Sequence, residues 1–457
     1  MAESRLDLTR GGPVSGILQF SWPLVLGNLF QQLYSIVDAV IIGQHCGVEA
    51  LAAVSCTSWI CWMVNALCRD SGNAFGIMGS IRTGQRDEET FRRIVANAIL
   101  YGLVISVSVT GLTVLGLDAI VLVLRVPQNI TKAARVYLLI YLLSIPPMMA
   151  FNLASSLLRA IGNSGVTMVA MTASTVANIA LDLLFVIGLG WGVTGAALAT
   201  LLSIVLSAVI AIVACLRCTL FRMDRGLLRP DWTLLREAMS LLLPMLFNSG
   251  IIAAGGMVVL SKSNMLGSSF TAGRSAEGKI FCLLEAVIMA LQTGVSVFVG
   301  QNLGAGKIDR IMRGLHQSLA VIMGIFLLMA SGVLMFLDPM LDLFLSKQDP
   351  ASYAEAFRVG QEAMRCILAG MVVMTPMYIY RVTIQTLGHA QYAAIAGVGQ
   401  MIIRILTVTF GPALIGNYAY YITDCMAWVI SLPIVAFPCY CVLGDLKKKA
   451  VHHEKSA

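Results

Sequence analysis

Apolar residues in this chain come in long runs rather than in the spaced stripe of a soluble amphipathic helix. A mostly apolar stretch of about 20 residues or more is long enough to cross a bilayer as a helix. Twelve can be read, over 15–42, 50–80, 93–116, 136–158, 166–190, 193–216, 237–261, 275–300, 314–337, 356–384, 392–415 and 418–443. Short polar or glycine-bearing seams separate them, the briefest at Gly190 to Val193 and at Gly416 and Asn417. The predicted fold class is therefore an all-α polytopic membrane protein with twelve transmembrane helices.

Composition agrees and removes several alternatives. Of 457 residues, 58% are hydrophobic and only 12% charged, whereas soluble proteins carry roughly 25% charged residues. So little charge cannot coat a globule of this size in water, which excludes a soluble enzyme and a disordered chain. A nucleic-acid partner is excluded too, despite the net charge of +7. The opening segment MAESRLDLTRGGPV is polar and of mixed sign, so no cleaved signal peptide is expected. The 11 cysteines are scattered, with Cys56, Cys61, Cys282, Cys439 and Cys441 inside apolar runs. They show no metal-ligand spacing, and buried thiols that act as small hydrophobes are expected.

The basic residues orient the chain. With a cytoplasmic N-terminus, 19 of the 31 Lys and Arg fall on the cytoplasmic side, 8 on the other and four (Arg69, Arg365, Arg381, Arg404) within spans. The excess predicts both termini in the cytoplasm, and the plasma, or inner, membrane is the expected location. Lys447, Lys448 and Lys449 stand where they can touch anionic lipid headgroups.

The two halves of the chain also match each other at an offset near 220 residues. Pro23 corresponds to Pro244, Gly47 to Gly267, and Gly162 of LLRAIGNS to Gly388 of TIQTLGHA; Gly84, Glu89 and Arg93 correspond to Gly304, Asp309 and Arg313. Six spans per half is an even number, so both halves enter the membrane in the same sense. They are expected as parallel-repeat six-helix lobes about an axis along the membrane normal, with a cleft between them. The domain reading is an N-terminal lobe over 1–217, a linker over 218–235, a C-terminal lobe over 236–443 and a basic cytoplasmic tail over 444–457.

Ionisable groups inside spans are the candidate chemistry, because each costs on the order of 3 kcal/mol to insert and such groups usually line a functional cavity. At about 1.5 Å of rise per residue, Asp38 sits about 8 Å below the outer end of its span. Asp182 and Thr200 sit about 12 Å below theirs by the same rise. Asn178 precedes Asp182 by four residues and so shares its helix face. Four polar residues from three helices thus converge at one depth of the N-terminal lobe. Two carboxylates in such a pocket cannot both stay ionised cheaply, so the pair should hold a proton or a cation. Carboxylate, amide and hydroxyl oxygens also suit Na⁺. The alternative is a hydrogen-bonded plug that only fixes helix positions.

The C-terminal lobe carries Glu285, Arg365, Arg404 and Asp424 at similar depths, with internal ion pairs as the first reading and a substrate site as the second. Other motifs fail. GQNLGAGKI resembles a phosphate loop, but Gln301 stands where Gly is needed and Ile308 where Ser or Thr is needed. The five histidines are dispersed.

The runs FSWPLVLGNLFQQLYSIVDAVIIGQHCGVEALAAVS, NIALDLLFVIGLGWGVTGAALATLLS and VGQNLGAGK resemble the multidrug and toxic compound extrusion (MATE) transporters, over about Leu8 to Leu443. The resemblance implies a V-shaped pair of lobes and export of cationic or amphipathic organic compounds, by alternating access, in exchange for H⁺ or Na⁺. It implies a cation-coupling site at Asp38, Asn178, Asp182 and Thr200. Gln31, Glu285 and Arg404 are the candidates for lining a substrate cavity. The acidic residue that some members carry inside the seventh span is missing here, since only Glu237 stands at its edge. Coupling through the N-terminal lobe is therefore expected. The reading includes no enzyme activity, no cofactor beyond the coupling ion, no obligate protein partner and a monomer. The rival within the same superfold is a flippase for lipid-linked sugars.

Overall fold

A computed structural model describes residues 6–124, 126–222, 227, 229–345 and 349–456 of the chain. Long apolar runs leave their backbone groups no partner but each other, so the described residues are predominantly helical. The first half forms α1 (Pro13–His45), α2 (Val48–Gln85), α3 (Glu88–Leu115), the short α4 (Leu117–Val123), α5 (Thr131–Leu143), α6 (Ile145–Ala160), α7 (Gly165–Asp182) and α8 (Gly192–Arg217). The second forms α9 (Trp232–Asn264), α10 (Ser268–Gly304), α11 (Ile308–Met335), the short α12 (Leu337–Asp342), α13 (Pro350–Thr386), α14 (Gln391–Ile415) and α15 (Tyr418–Ser456).

The internal repeat is visible element by element. In each half, three long helices and one short one are followed by three further spans. The matched turns share a backbone conformation: Gly47 and Gly267 have φ of 84° and 102°, and Gly162 and Gly388 both have φ of 87°. Only glycine enters that region freely, which is why these positions stand out when the halves are compared.

Ten described helices are long and apolar enough to cross a membrane, and α5 with α6 makes an eleventh span bent by 41°. The twelfth long helix is α2, whose 38 residues include Arg69 and Asp70 paired at 3.2 Å. Span four was expected as one rod. It breaks because Pro146 and Pro147 open α6. Proline has no N–H to donate and its ring crowds the preceding turn. The outward faces carry large apolar side chains such as Leu103, Val107 and Leu112 on α3 or Leu328 and Met335 on α11, a surface suited to lipid. Inside, small residues let backbones meet: a Cβ on Gly72 of α2 would lie 2.6 Å from the Asn152 carbonyl of α6, and one on Gly273 of α10 would lie 2.4 Å from the Ala356 carbonyl of α13.

The chain folds into two compact units. One comprises Gln19–Leu242 with the start of the chain up to Thr9; the other comprises Arg10–Leu18 and Leu243–Ala457. The expected boundaries at 217 and 236 differ from this division in two short segments. Arg10–Leu18 belongs with the second half because Arg310 donates to the carbonyls of Arg10 and Gly11 at 2.7 and 2.8 Å. The start of α9 belongs with the first half. There the Asp231 amide donates to Asn97 at 2.8 Å, and Glu237 faces Arg82 at 3.5 Å. The expected linker opens with Leu220 and Phe221 buried, the latter edge-on to Phe91; residues 223–226 and 228 lie outside the described residues. The basic tail, expected as a separate segment, continues α15 to Ser456.

The cysteines correct a second expectation. Cys68 and Cys439 are buried, but Cys56 and Cys61 are half-buried and Cys282 and Cys441 exposed. In a helix whose outer face is itself apolar, a small hydrophobe gains as much on the lipid side as in the core.

Candidate functional site

The site is built by three helices of the first unit. On α1, Tyr34 and Asp38 are one turn apart and share a face. On α7, Asn178 and Asp182 do the same at the helix's last turn, and Thr200 faces them from α8. Asp182, Asn178 and Thr200 are buried and Asp38 is partly buried. All four residues expected at the coupling site are thus gathered in one place.

Their contacts form a short network. The Asn178 Nδ2 donates to Asp182 Oδ2 at 2.9 Å, and its Oδ1 accepts from the Thr200 backbone N–H at 3.3 Å. The side chains of Asp38 and Asp182 lie within hydrogen-bonding reach of each other. The Tyr34 and Thr200 hydroxyls lie within similar reach of each other. Oδ1 of Asp38 and Oδ1 of Asp182 are both buried with no hydrogen-bond partner. Among the described residues no Lys or Arg pairs with either carboxyl. Two acids held face to face without a counter-charge repel if both are ionised, by about 4 kcal/mol at about 4 Å and an effective dielectric of about 20. One proton shared between them removes the repulsion and supplies the missing donor.

The local backbone explains how Asp182 reaches Asp38. Immediately after Asp182 the helix widens into a π-helical segment, Leu183–Gly188. Such wide turns rotate the side chains around them and recur at functional sites. The turn is closed from outside. Trp191 stacks on Phe185 at 5.1 Å, its amide donates to the Phe185 carbonyl at 2.9 Å, and Gly195 leaves only 3.0 Å between a hypothetical Cβ and Phe185. Ser174 ties α7 to α8 by donating to the Ser203 carbonyl at 2.8 Å. Behind the site, Tyr137 and Tyr141 of α5 stack beside Tyr34, and Tyr141 donates to the Cys61 carbonyl at 3.2 Å.

The expected substrate-cavity residues do not join this group. Gln31 is exposed on α1. Glu285 belongs to the other unit, where it accepts from the Tyr378 hydroxyl at 2.8 Å. Arg404 also lies there, paired with Asp424 at 2.8 Å and buried, which is the ion-pair reading of the C-terminal charges. Arg365 is exposed, and Arg381 lies over the Tyr378 ring at 4.3 Å. Sequence reasoning missed Tyr34, although its four-residue spacing from Asp38 was the available signal. It also missed the π-turn, which has no sequence mark.

Comparison with known proteins places the chain in context. A model of the MatE family matches residues 23–184 and 244–410, once in each half. A Bacillus subtilis relative described as a probable multidrug resistance protein, YpnP, is 27% identical over 67% of this chain and 68% of its own. The multidrug export protein MepA of Staphylococcus aureus is 24% identical over 89% of this chain and 90% of its own. Among solved structures, the outward-facing conformation of a multidrug resistance MATE family transporter of the MOP superfamily superposes with a TM-score of 0.89. That pair is 20% identical, covering 98% of this chain and 100% of the other.

Proposed function

Because the chain belongs to the MatE family, we propose that it is a multidrug efflux antiporter that expels cationic or amphipathic organic compounds in exchange for protons. The relatives' names, multidrug export and multidrug resistance proteins, support the efflux half of this reading. The buried, unpartnered Oδ1 atoms of Asp38 and Asp182, on side chains within reach of each other, carry the exchange half.

The donor set favours H⁺ over Na⁺ as the exchanged ion. Sodium needs several oxygens free to turn toward it. Here the Asn178 oxygen accepts from the Thr200 amide while its nitrogen faces Asp182, and the Thr200 hydroxyl lies within reach of Tyr34. What remains is carboxyl oxygen alone, with Oδ1 of Asp38 and Oδ1 of Asp182 buried and unpartnered, a set that suits a proton better than a metal cation.

In the cycle, a proton entering from outside bridges the carboxyl pair and removes its internal repulsion. α1 is then free to repack against α7, with Pro23 as the place where its hydrogen-bond ladder is already open. The repacking releases the organic compound outward by alternating access. Loss of the proton to the cytoplasm resets the pair. We take both termini as cytoplasmic, which the Lys and Arg bias supports, and the protein as a monomer of the plasma membrane.

Efflux of a fluorescent cationic dye from expressing cells tests this, with H⁺ or Na⁺ gradients collapsed separately. Asp38→Asn and Asp182→Asn should each reduce efflux at least tenfold at unchanged expression, and only the H⁺ ionophore should stop the unmodified protein. Either variant exporting at the normal rate refutes the exchange half. Dye retained under every gradient, with lipid-linked sugars translocated instead, replaces the efflux reading with the flippase.

A further inference from the structure

The internal repeat allows the coupling site to be located a second time, in the C-terminal unit. Asp38 lies 15 residues beyond Pro23, and the residue 15 beyond Pro244 is Val259. Asp182 lies 20 residues beyond Gly162, and the residue 20 beyond Gly388 is Val408. The correspondence holds in space as well as in sequence: Val259 and Val408 pack into one buried cluster, 8% and 2% exposed, with Phe270, Tyr420 and Tyr421. Where the first unit brings two carboxyls together, the second brings two valines together.

The position matching Asn178, 16 residues beyond the glycine, is Arg404. It sits one turn before Val408 on α14. Its guanidinium donates to Asp424 of α15 at 2.8 and 2.9 Å and to the Ile252 carbonyl of α9 at 3.4 Å. These helices, α9, α14 and α15, are the counterparts of α1, α7 and α8. A positive charge therefore bonds all three helices at the level where the first unit needs an exchangeable one.

We propose that the C-terminal unit carries a permanently occupied copy of the cation site, with the Arg404 guanidinium as a built-in cation and Asp424 as its counter-charge, so that the transporter exchanges ions through one unit only. This rests on the proposed role of the Asp38–Asp182 pair. A tethered cation cannot leave, so α9, α14 and α15 stay in the cation-bound packing throughout the cycle while α1, α7 and α8 alternate. Other charges stand around the pair within the unit. Arg274 and Glu277 of α10 pair at 3.0 Å, with Glu362 and Cys366 of α13 and Cys425 and Tyr421 of α15 beside them and Arg358 near Tyr421. On the Arg404 side stands Tyr378, bonded to Glu285 and covered by Arg381. Arg404 is thus the one positive charge bonded directly to Asp424 among the described residues.

The test is thermal melting of the purified full-length protein between pH 5 and 8, with NaCl or with KCl. All ion-dependent melting of the unmodified protein should disappear in the Asp38→Asn/Asp182→Asn variant. Adding Arg404→Met to that background exposes Asp424 without its cation, and melting should then rise by several degrees on acidification or with Na⁺. Arg404→Lys, and Arg404→Met combined with Asp424→Asn, should show no such rise. Ion dependence that survives Asp38→Asn/Asp182→Asn but vanishes with Asp424→Asn would overturn the inference, as would Arg404→Met without any new ion dependence. If Arg404→Met does not fold, the Arg404→Met/Asp424→Asn pair decides. A buried ion pair exchanged for neutral groups is often tolerated, and this variant should export dye with unchanged ion dependence, while loss of export counts against the proposal. Ion dependence untouched by Asp38→Asn/Asp182→Asn and by Asp424→Asn alike would instead refute the proposed role of the first unit's acids, leaving the Arg404→Met arm to decide this one.

Discussion

Replacing Asn178 by leucine, which keeps its branched outline and none of its polarity, isolates what the amide contributes. The side chain is 1% exposed, so no water can take its place. The substitution removes the 2.9 Å bond to the Asp182 carboxyl and leaves the Thr200 N–H without the 3.3 Å contact across the helix pair. A hydrogen bond to a charged group is worth about 1.5–3 kcal/mol and a neutral one about 1 kcal/mol. Burying a larger apolar side chain returns about 1 kcal/mol, which leaves a net loss of about 2 kcal/mol. For a unit of this size the melting temperature should fall by about 4–8 °C. If the same energy holds Asp182 against Asp38 in the working geometry, dye efflux per folded molecule should fall about 30-fold, at about 1.4 kcal/mol per decade. Ser174→Ala is the control, because it breaks a tie between the same two helices, from Ser174 to the Ser203 carbonyl, without touching the acids. It should lower melting and leave efflux intact. Asn178→Leu with reduced melting but a normal efflux rate would refute the positioning role.

Two further outcomes follow from parts of the fold outside the site. Asp87 caps α3 by accepting from the Thr90 amide at 3.0 Å, and the bonds from Thr90 hold its carboxyl below the ordinary range. Asp87→Ala should cost about 1 kcal/mol at neutral pH. The cap's contribution is present above the ordinary carboxyl value of about 4 and fades as pH falls below it, so the variant and the parent should converge in melting temperature in acid. Gly162→Ala places a Cβ 2.2 Å from the Leu6 carbonyl at φ of 87°. It should release the start of the chain to proteolysis while efflux persists, and unchanged protease resistance would contradict the contact.

Hydropathy made the order of the spans legible because it reports partition into lipid, which is what selects these helices. The repeat was legible because matched turns require the same backbone, as Gly162 and Gly388 do. Asp38, Asn178, Asp182 and Thr200 could be found together because helical rise converts residue number into depth, and depth suffices when the lipid boundary is a plane. The rest depended on quantities that a hydropathy profile does not carry. The bend between α5 and α6 is a matter of hydrogen bonds lost at Pro146 and Pro147, and the π-turn after Asp182 is a matter of ladder register. Arg404 could be read as an ion pair or as a substrate contact until its partner was known, since sequence spacing does not tell which of several acids on three other helices faces it. The transfer of Arg10–Leu18 to the second unit was out of reach for the same reason: its partner, Arg310, is 300 residues away.

That separation has a consequence for biosynthesis. The carbonyls of Arg10 and Gly11 leave the ribosome about 300 residues before the guanidinium that binds them is made. At about 5–20 residues per second, the head of the chain waits for about 15–60 s with its binding groups unmet. Throughout that interval the insertion machinery or a chaperone has access to it. The second unit therefore cannot complete itself from its own half of the message, because one piece of it, Arg10–Leu18, is made ahead of Gln19–Leu242.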